Sequence, residues 1–307
     1  MRCRKCGQKA VINMRQHRLS LCAAHFQEWL PVQVDRFIKK YKMFNYTDRV
    51  LVAVSGGKDS LALWNILAQL GFQADGLYID LGIDEEIAYS SRSREVTESF
   101  ALQRGLRLYI TDIKESCGES IPQINERTHR GRSKPCSVCG LVKRHILNDF
   151  AQKNNYDVVL TGHNLDDEAA ILLANTLDWS LEFLARGYPV LPAKPGFSKK
   201  AKPFCRIYER ESAAYAFVSG IAYVESECPF SLDSKQLKYK RILNQWEDDR
   251  PGMKLRFYLH YLNALDAGAF PWKQDSAKTL SQHLCPQCGQ PTSTGGLCTF
   301  CRLFKQP

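Results

Sequence analysis

From Asp48 onward, short apolar runs alternate with longer stretches in which apolar residues return every three or four positions. The runs Val50–Val54, Ala74–Asp80, Leu106–Thr111 and Val158–Thr161 read as buried strands. The stretches Ser60–Leu70, Glu85–Arg104, Leu141–Asn154 and Leu165–Asn175 read as amphipathic helices. Strand–helix–strand repetition predicts an α/β fold: a doubly wound parallel sheet with helices on both faces and ligands at the carboxyl ends of its strands. No run approaches the roughly 18 apolar residues of a membrane span. Met1–Cys6 is basic and lacks the apolar core of an export signal, so a cytoplasmic chain is expected. The two ends are short, cysteine-bearing and poor in apolar surface. Three units are therefore expected, residues 1–30, 31–270 and 271–307.

The chain has 307 residues, 44% hydrophobic and 24% charged, enough for a sizeable core and too apolar for wholesale disorder. Forty-two Lys and Arg against 32 Asp and Glu leave a net charge of +10. That excess favours a polyanionic partner such as nucleic acid, although many ordinary soluble proteins are as basic. The 12 cysteines change the picture more. Without an export signal they do not read as a disulfide framework, and their spacing points to metal.

At the amino end the spacing is Cys3-x2-Cys6-x15-Cys22-x2-His25, and at the carboxyl end Cys285-x2-Cys288-x9-Cys298-x2-Cys301. Two residues between cysteines let both thiolates reach one ion, and two such pairs complete a tetrahedron. Gly7 and Gly289 follow the second cysteine of each module, where a tight knuckle favours positive φ. Such small segments bury little apolar area, so a bound ion supplies their folding energy. Structural zinc is the reading for both, with coincidental or redox-active thiols as the alternative. Four protein ligands leave no open position for chemistry.

The first strand is followed by Ser55-Gly56-Gly57-Lys58-Asp59-Ser60. The glycines let backbone approach an anion, and Ser60 lies at the start of a helix whose amino end attracts phosphate. The string lacks the spacing of a Walker motif. It resembles the PP-loop of the N-type ATP pyrophosphatases, which cleave ATP between the α and β phosphates. Further along lie Pro135-Cys136-Ser137-Val138-Cys139-Gly140 and, much later, Cys228. Three thiols suit a [4Fe–4S] cluster with one iron left open. They could equally be a redox dithiol with a bystander, a third zinc site with His163 or His145, or buried thiols.

The amino module, SGGKDS, PCSVCG, the run Thr161–Ala169, Cys228 and the carboxyl module occur in the order seen in the TtcA/TtuA-type tRNA 2-thiolation enzymes. The resemblance spans Cys3 to Cys301, and the twin zinc modules are similar to those of the TtuA and Ncs6/Ctu1 branch rather than TtcA proper, with TtuA the nearer likeness. It implies an ATP-dependent tRNA sulfurtransferase using ATP, Mg²⁺, two Zn²⁺ and one [4Fe–4S] cluster on Cys136, Cys139 and Cys228. The enzyme would adenylate a uridine O2 and replace it with sulfur at the T-loop 5-methyluridine. It also implies a ubiquitin-like thiocarboxylate protein as sulfur carrier and a homodimer.

Carried over residue by residue, Ala53, Ile79 and Gly162 frame the nucleotide through their backbones. Ser55, Gly56, Gly57, Lys58, Asp59 and Ser60 hold phosphate, with Asp59 organising magnesium. Lys143 stabilises charge building on the α-phosphate. Asp167 binds magnesium or handles a proton, and His163 is as readily a hydrogen-bonding element. A solvated helix face is the bland reading for Lys143 and Asp167.

Wobble-uridine thiolation remains an alternative, as does a non-catalytic zinc-finger RNA-binding protein. Basic runs at Arg127–Lys134, Lys194–Lys202 and Lys235–Arg241 are candidate phosphate contacts. Cys117, in a mobile-looking segment from Asp112 to Pro135, and Cys205 read as ordinary thiols.

Overall fold

A computed structural model describes residues 1–84, 88–231, 235–270, 283–293 and 295–304. The chain opens with an antiparallel hairpin, β1 (Ile12–Met14) against β2 (Leu19–Leu21). Helix α1 (Ala23–Lys40) follows and buries a stripe of Phe26, Leu30, Val34 and Ile38 at four-residue spacing. Then come β3 (Val50–Val54), α2 (Lys58–Gln69), β4 (Ala74–Asp80), α3 (Tyr89–Arg104) and β5 (Leu108–Asp112). After α4 (Ile113–Cys117), α5 (Ile121–Arg127), α6 (His129–Ser133) and α7 (Pro135–Lys153), the chain returns to the sheet as β6 (Val158–Thr161). It continues through α8 (Leu165–Leu177), α9 (Leu181–Leu184), β7 (Val190–Leu191), β8 (Lys199–Ala201), α10 (Glu209–Val218), α11 (Lys235–Asp249) and α12 (Met253–Asp266). A second small hairpin, β9 (His283–Leu284) with β10 (Pro291–Thr292), and α13 (Thr299–Phe304) close the described chain.

The central sheet runs β5-β4-β3-β6-β8-β7, parallel throughout except for β7 at its edge. The chain leaves β3 toward β4 and β5, then crosses back to lay β6 on the other side of β3. That reversal opens a crevice at the carboxyl ends of β3 and β6, the usual ligand position in such sheets. Alternation along β3 divides the core. Val50, Val52 and Val54 join the cluster under α1, α2, α10 and α12, whereas Leu51 joins the one under α5 and α7. Cys3, Met14 and Cys22 belong to the first cluster, so the amino-terminal module packs directly onto the main core. No helix among the described residues is long and apolar enough to cross a membrane.

Three expectations shift. The third strand begins at Leu108 rather than Leu106. Helix α7 begins at Pro135 instead of Leu141, so PCSVCG forms its first turns instead of preceding it. Proline at a first helical position costs no hydrogen bond, and the apolar periodicity becomes visible only later. The mobile-looking segment between Asp112 and Pro135 is three short helices, each with a side-chain cap: Asp112 accepts from Lys114 N–H at 2.7 Å and Thr128 from Gly131 N–H at 3.0 Å. Ser120 and Gln123 form a reciprocal capping box over α5. The helix read from Glu85 has Glu85–Ile87 outside the described residues, and 271–282 of the carboxyl unit lie outside them too.

Trp64 anchors α2 to the sheet. It is fully buried and donates Nε1–H to the Ala74 carbonyl at 2.8 Å. A Cβ on Gly76 would lie 2.6 Å from its ring. Trp64→Ala is therefore expected to cost about 3–5 kcal/mol, and Gly76→Ala to destabilise by displacing the same ring. Urea midpoints of both variants check this; an unchanged midpoint for Gly76→Ala would show that the indole has room to move.

Candidate functional site

The loop between β3 and α2 is shaped by its glycines and by Ser60. Gly56 has φ +73°, and a Cβ there would meet the Ser93 carbonyl oxygen at 2.7 Å. Ser60 Oγ accepts from Ser55 N–H at 3.1 Å and donates to the Gly57 carbonyl at 3.0 Å, closing the loop on itself. No side chain caps α2 at Gly57, which leaves its first N–H groups available to an anion. Gly162, at the end of β6, lies under this loop: a Cβ there would sit 2.9 Å from Ser60 N and 3.0 Å from Asp59 C. The glycine is needed for packing of protein backbone on protein backbone.

An alternating row of charges runs from the loop across the crevice. Lys58 pairs with Asp59 at 3.1 Å and with Glu209 at 2.8 Å. Glu209 also takes Lys240 at 3.1 Å, and Lys240 reaches Asp167 at 2.6 Å. Asp59 accepts a short hydrogen bond from Ser212. Burial works to raise Glu209, but Lys240 and Lys58 outweigh it and hold the carboxyl at about 2. Burial likewise works to lower Lys58 and Lys240, and their acidic neighbours keep both raised. Asp59 is raised, chiefly by burial, with Lys58 and Ser212 opposing. Asp167 and Asn164 form a reciprocal cap on α8, each accepting the other's N–H at 3.1 Å. Beside the row, Asp166 pairs with buried Lys254 and accepts the Glu209 N–H at 2.8 Å.

A narrow cavity of about 80 Å³ opens beside the loop, lined by Ala53, Ser55, Ile79, Tyr89, Ser93 and Lys143 among others. Ser93 Oγ is buried with no hydrogen-bond partner; Tyr78, close by, gives its proton to the Ser90 carbonyl at 2.8 Å instead. Lys143 is raised first by Cys139, against burial, then by Tyr89 and Cys228. One ammonium thus faces both the cavity and the thiols. Cys136 and Cys139 occupy the start of α7, and Cys228 precedes a turn, Pro229–Ser231, whose Phe230 carbonyl accepts from Cys136 Sγ at 3.1 Å. Burial pushes both Cys136 and Cys228 up, so a cation is needed to hold them as thiolates.

Among the described residues, groups of three or more ligand atoms all within 4.8 Å of one another occur at the two ends of the chain. Cys136, Cys139 and Cys228 form no such group among the described residues. His145 stacks on Phe300 at 3.6 Å and His163 bonds Thr161 at 2.8 Å; neither completes a third mononuclear site. At the ends, Cys6–Cys22 and Cys288–Cys298 sulfurs are each 3.7 Å apart. That is the edge of a tetrahedron with metal–sulfur bonds of about 2.3 Å. Gly7 and Gly289 have φ of +75° and +72° as the knuckles require. Burial disfavours the Cys285 thiolate, yet N–H groups of Cys298, Cys288 and Gln287 hold it at about 6.

Residues 2–27 match the family of the 2-thiouridine synthetase TtuA N-terminal LIM domain, and residues 30–227 match the PP-loop domain. The tRNA-5-methyluridine(54) 2-sulfurtransferase of Thermus thermophilus is 46% identical over 99% of this chain and 91% of its own. The chain belongs to the TtuA-type tRNA 2-thiolation family. The Pyrococcus horikoshii enzyme of the same name is 40% identical over 99% of this chain and 94% of its own. A solved structure, the U34-tRNA thiolase NcsA of Methanococcus maripaludis with its [4Fe-4S] cluster, aligns with a TM-score of 0.75 at 26% identity. It covers 87% of this chain and 88% of that one.

In this TtuA-type chain the crevice gathers Ser55–Ser60, Ala53, Ile79, Lys143 and Gly162, and ties Asp167 to Asp59 through the row of charges. The cysteine sets that could each hold a metal ion, at the two ends of the chain, share no residue with it. Sequence patterns did not single out Glu209, Ser93 or Tyr89. Lys240, read as part of a basic RNA-facing run, is half-buried in the row, and Lys202 is paired with buried Glu168 at 2.8 Å.

Two outcomes follow from this geometry. Glu209→Gln is expected to destabilise the protein, because Lys58 and Lys240 lose the carboxylate they share. With Glu209 at about 2 against an ordinary 4.5, its contribution is full above pH 4.5 and fades as pH falls toward 2. The urea-midpoint gap between wild type and variant should narrow over that window; a gap independent of pH would refute the assignment. Ser93→Ala removes an orphaned buried hydroxyl, so thermal stability should hold or rise slightly while ATP affinity falls roughly three- to tenfold, the worth of one hydrogen bond. Calorimetric titration separates this from a structural role, which would lower stability and leave ATP binding alone.

Proposed function

We propose that this protein adenylates the O2 oxygen of a tRNA uridine with ATP and then exchanges that oxygen for sulfur, acting on the T-loop 5-methyluridine. The observation that carries the reading is Lys143, whose ammonium faces the nucleotide cavity on one side and Cys139 and Cys228 on the other. The stronger likeness to 5-methyluridine(54) sulfurtransferases, 46% against 26% for the U34 thiolase, favours the T-loop over the wobble position.

ATP is held with its phosphates on the free N–H groups of α2 and on Lys58. The uridine O2 attacks the α-phosphorus, pyrophosphate leaves, and Lys143 neutralises charge on the α-phosphate as it develops. Asp59 and Asp167 are the carboxylates offered to magnesium. The [4Fe–4S] cluster, when bound by Cys136, Cys139 and Cys228, supplies an open iron for the incoming sulfur. Attack by sulfur on C2 expels AMP, with substrate and sulfur held side by side in place of a bimolecular encounter.

Zinc in each terminal module completes a structural unit: the amino module over 1–30 and the carboxyl module over 271–307, flanking a catalytic domain over 31–270. A ubiquitin-like thiocarboxylate protein is the proposed sulfur carrier. Leu177, Trp179, Leu181 and Phe183, all exposed around the end of α8 and α9, offer an apolar surface for a homodimer in the cytoplasm.

The test is anaerobic incubation of reconstituted enzyme with ATP, magnesium, sulfide and tRNA carrying 5-methyluridine, with fragment mass spectrometry of the product. Sulfur is expected in the T-loop; sulfur at the wobble position would transfer the protein to the other branch. Cys228→Ser should abolish sulfur incorporation yet still form adenylated tRNA. Full thiolation by that variant, or by protein stripped of iron but retaining zinc, would sink the cluster's role.

A further inference from the structure

The outer side of α7 carries a second feature. Together with the carboxyl-terminal module it encloses a cavity of about 320 Å³ whose described lining includes two cations, Arg144 and Lys200, and no carboxylate. Neither cation has an ion pair or hydrogen bond among the described residues. Their surroundings are otherwise fixed. Asn148 donates to the Gly196 carbonyl at 2.9 Å and accepts the Ser198 N–H at 3.0 Å. Gln290 donates to the His145 carbonyl at 3.2 Å, and the His145 ring, held near 4 chiefly by burial, lies uncharged against Phe300. The walls are built, while the charges they hold face no counter-ion.

Lys200 is half-buried, whereas Arg144 is exposed. Lys200 is lowered first by burial and then by Arg144; Arg144 is lowered by burial and then by Arg130. An anion between them would offset the repulsion of two like charges. A guanidinium fork beside an ammonium suits tetrahedral oxyanions, above all phosphate. Arg144 also directly follows Lys143, and successive helical residues point about 100° apart. Lys143 faces the nucleotide cavity and Arg144 the outer one, so one helix can seat the reacting centre and a remote part of the same substrate.

We propose that Arg144 and Lys200 form a seat for a backbone phosphate of the tRNA, clamped between α7 and the carboxyl-terminal module. This rests on the tRNA reading given above. The seat positions RNA and takes no part in adenylation.

The test uses the metal-loaded full chain and the double variant Arg144→Gln, Lys200→Gln, with zinc content and thermal midpoint as checks on folding. Binding of unmodified tRNA is measured from about 0.05 to 0.2 M salt. The slope of log affinity against log salt should shrink by roughly 0.7 to 1.8, for one phosphate shared or two neutralised. Extrapolated from 1 M, that is roughly a 5- to 60-fold loss at 0.1 M salt. At saturating tRNA the rate of AMP release should be unchanged, and Arg144→Lys with Lys200→Arg should restore most of the slope. An unchanged slope in a folded double variant overturns the proposal. Loss of inhibition by free pyrophosphate with the tRNA slope intact also overturns it, assigning the cavity to a small anion. A wild-type protein that binds no tRNA would instead remove the reading on which the proposal stands.

Discussion

The site depends on one electrostatic constraint: each charge in the row across the crevice stands beside an opposite neighbour. Asp59, Lys58, Glu209, Lys240 and Asp167 alternate in sign from the phosphate loop to the start of α8. Isolated, each would lose several kcal/mol on leaving water; in sequence each is flanked by its counter-charge. Glu209 is the hinge of the row, since it alone touches both lysines. It also fixes α10 through its backbone N–H to Asp166, so the loop, α8, α10 and α11 are registered through one residue. A triphosphate arriving at the loop would compete with Glu209 for Lys58, and the row can respond by passing Glu209 wholly to Lys240.

Around this constraint the architecture divides labour. The reversal of strand order at β3 and β6 opens the crevice, and Gly162 lets the phosphate loop settle onto β6 without a side chain between. Helix α7 carries Cys139 and, one turn on, Lys143, so the sulfur and phosphate roles proposed for them would share a rigid spacing of four residues. The carboxyl-terminal module packs Phe300, Leu303 and Phe304 against the cluster of apolar side chains that also contains Val138 and Val142. A metal bound in that module would therefore stiffen α7, the helix that bears Cys136, Cys139 and Lys143.

What was legible in the chain was local. SGGKDS between a strand and a helix, and paired cysteines at two-residue spacing, state their geometry within a few positions. The alternation of β3 and the stripe of α1 are equally direct. What was not legible lies far apart in the chain: Glu209 is 151 positions from Lys58, and nothing around it has a period or motif. Lys240 sits in a basic run that looks solvated until its partners are brought to it. Ser93 is one of several small polar residues in a weakly amphipathic helix, and only burial without a partner marks it out. The short helices between Asp112 and Pro135 are too brief for hydrophobic periodicity and are held by caps, which read as ordinary polar residues in isolation.

Cys136 lies exposed at the tip of α7, while Cys139 and Cys228 are half-buried beside it. A centre that receives sulfur from a donor and presents it to a folded RNA, the role proposed for these thiols, cannot be sealed in apolar packing. The same opening admits dioxygen, and a thiol at the rim is the first to climb the oxidation ladder. In that role the thiols would need reducing surroundings, and the protein's working lifetime in air would be set by an entrance that catalysis does not allow it to close.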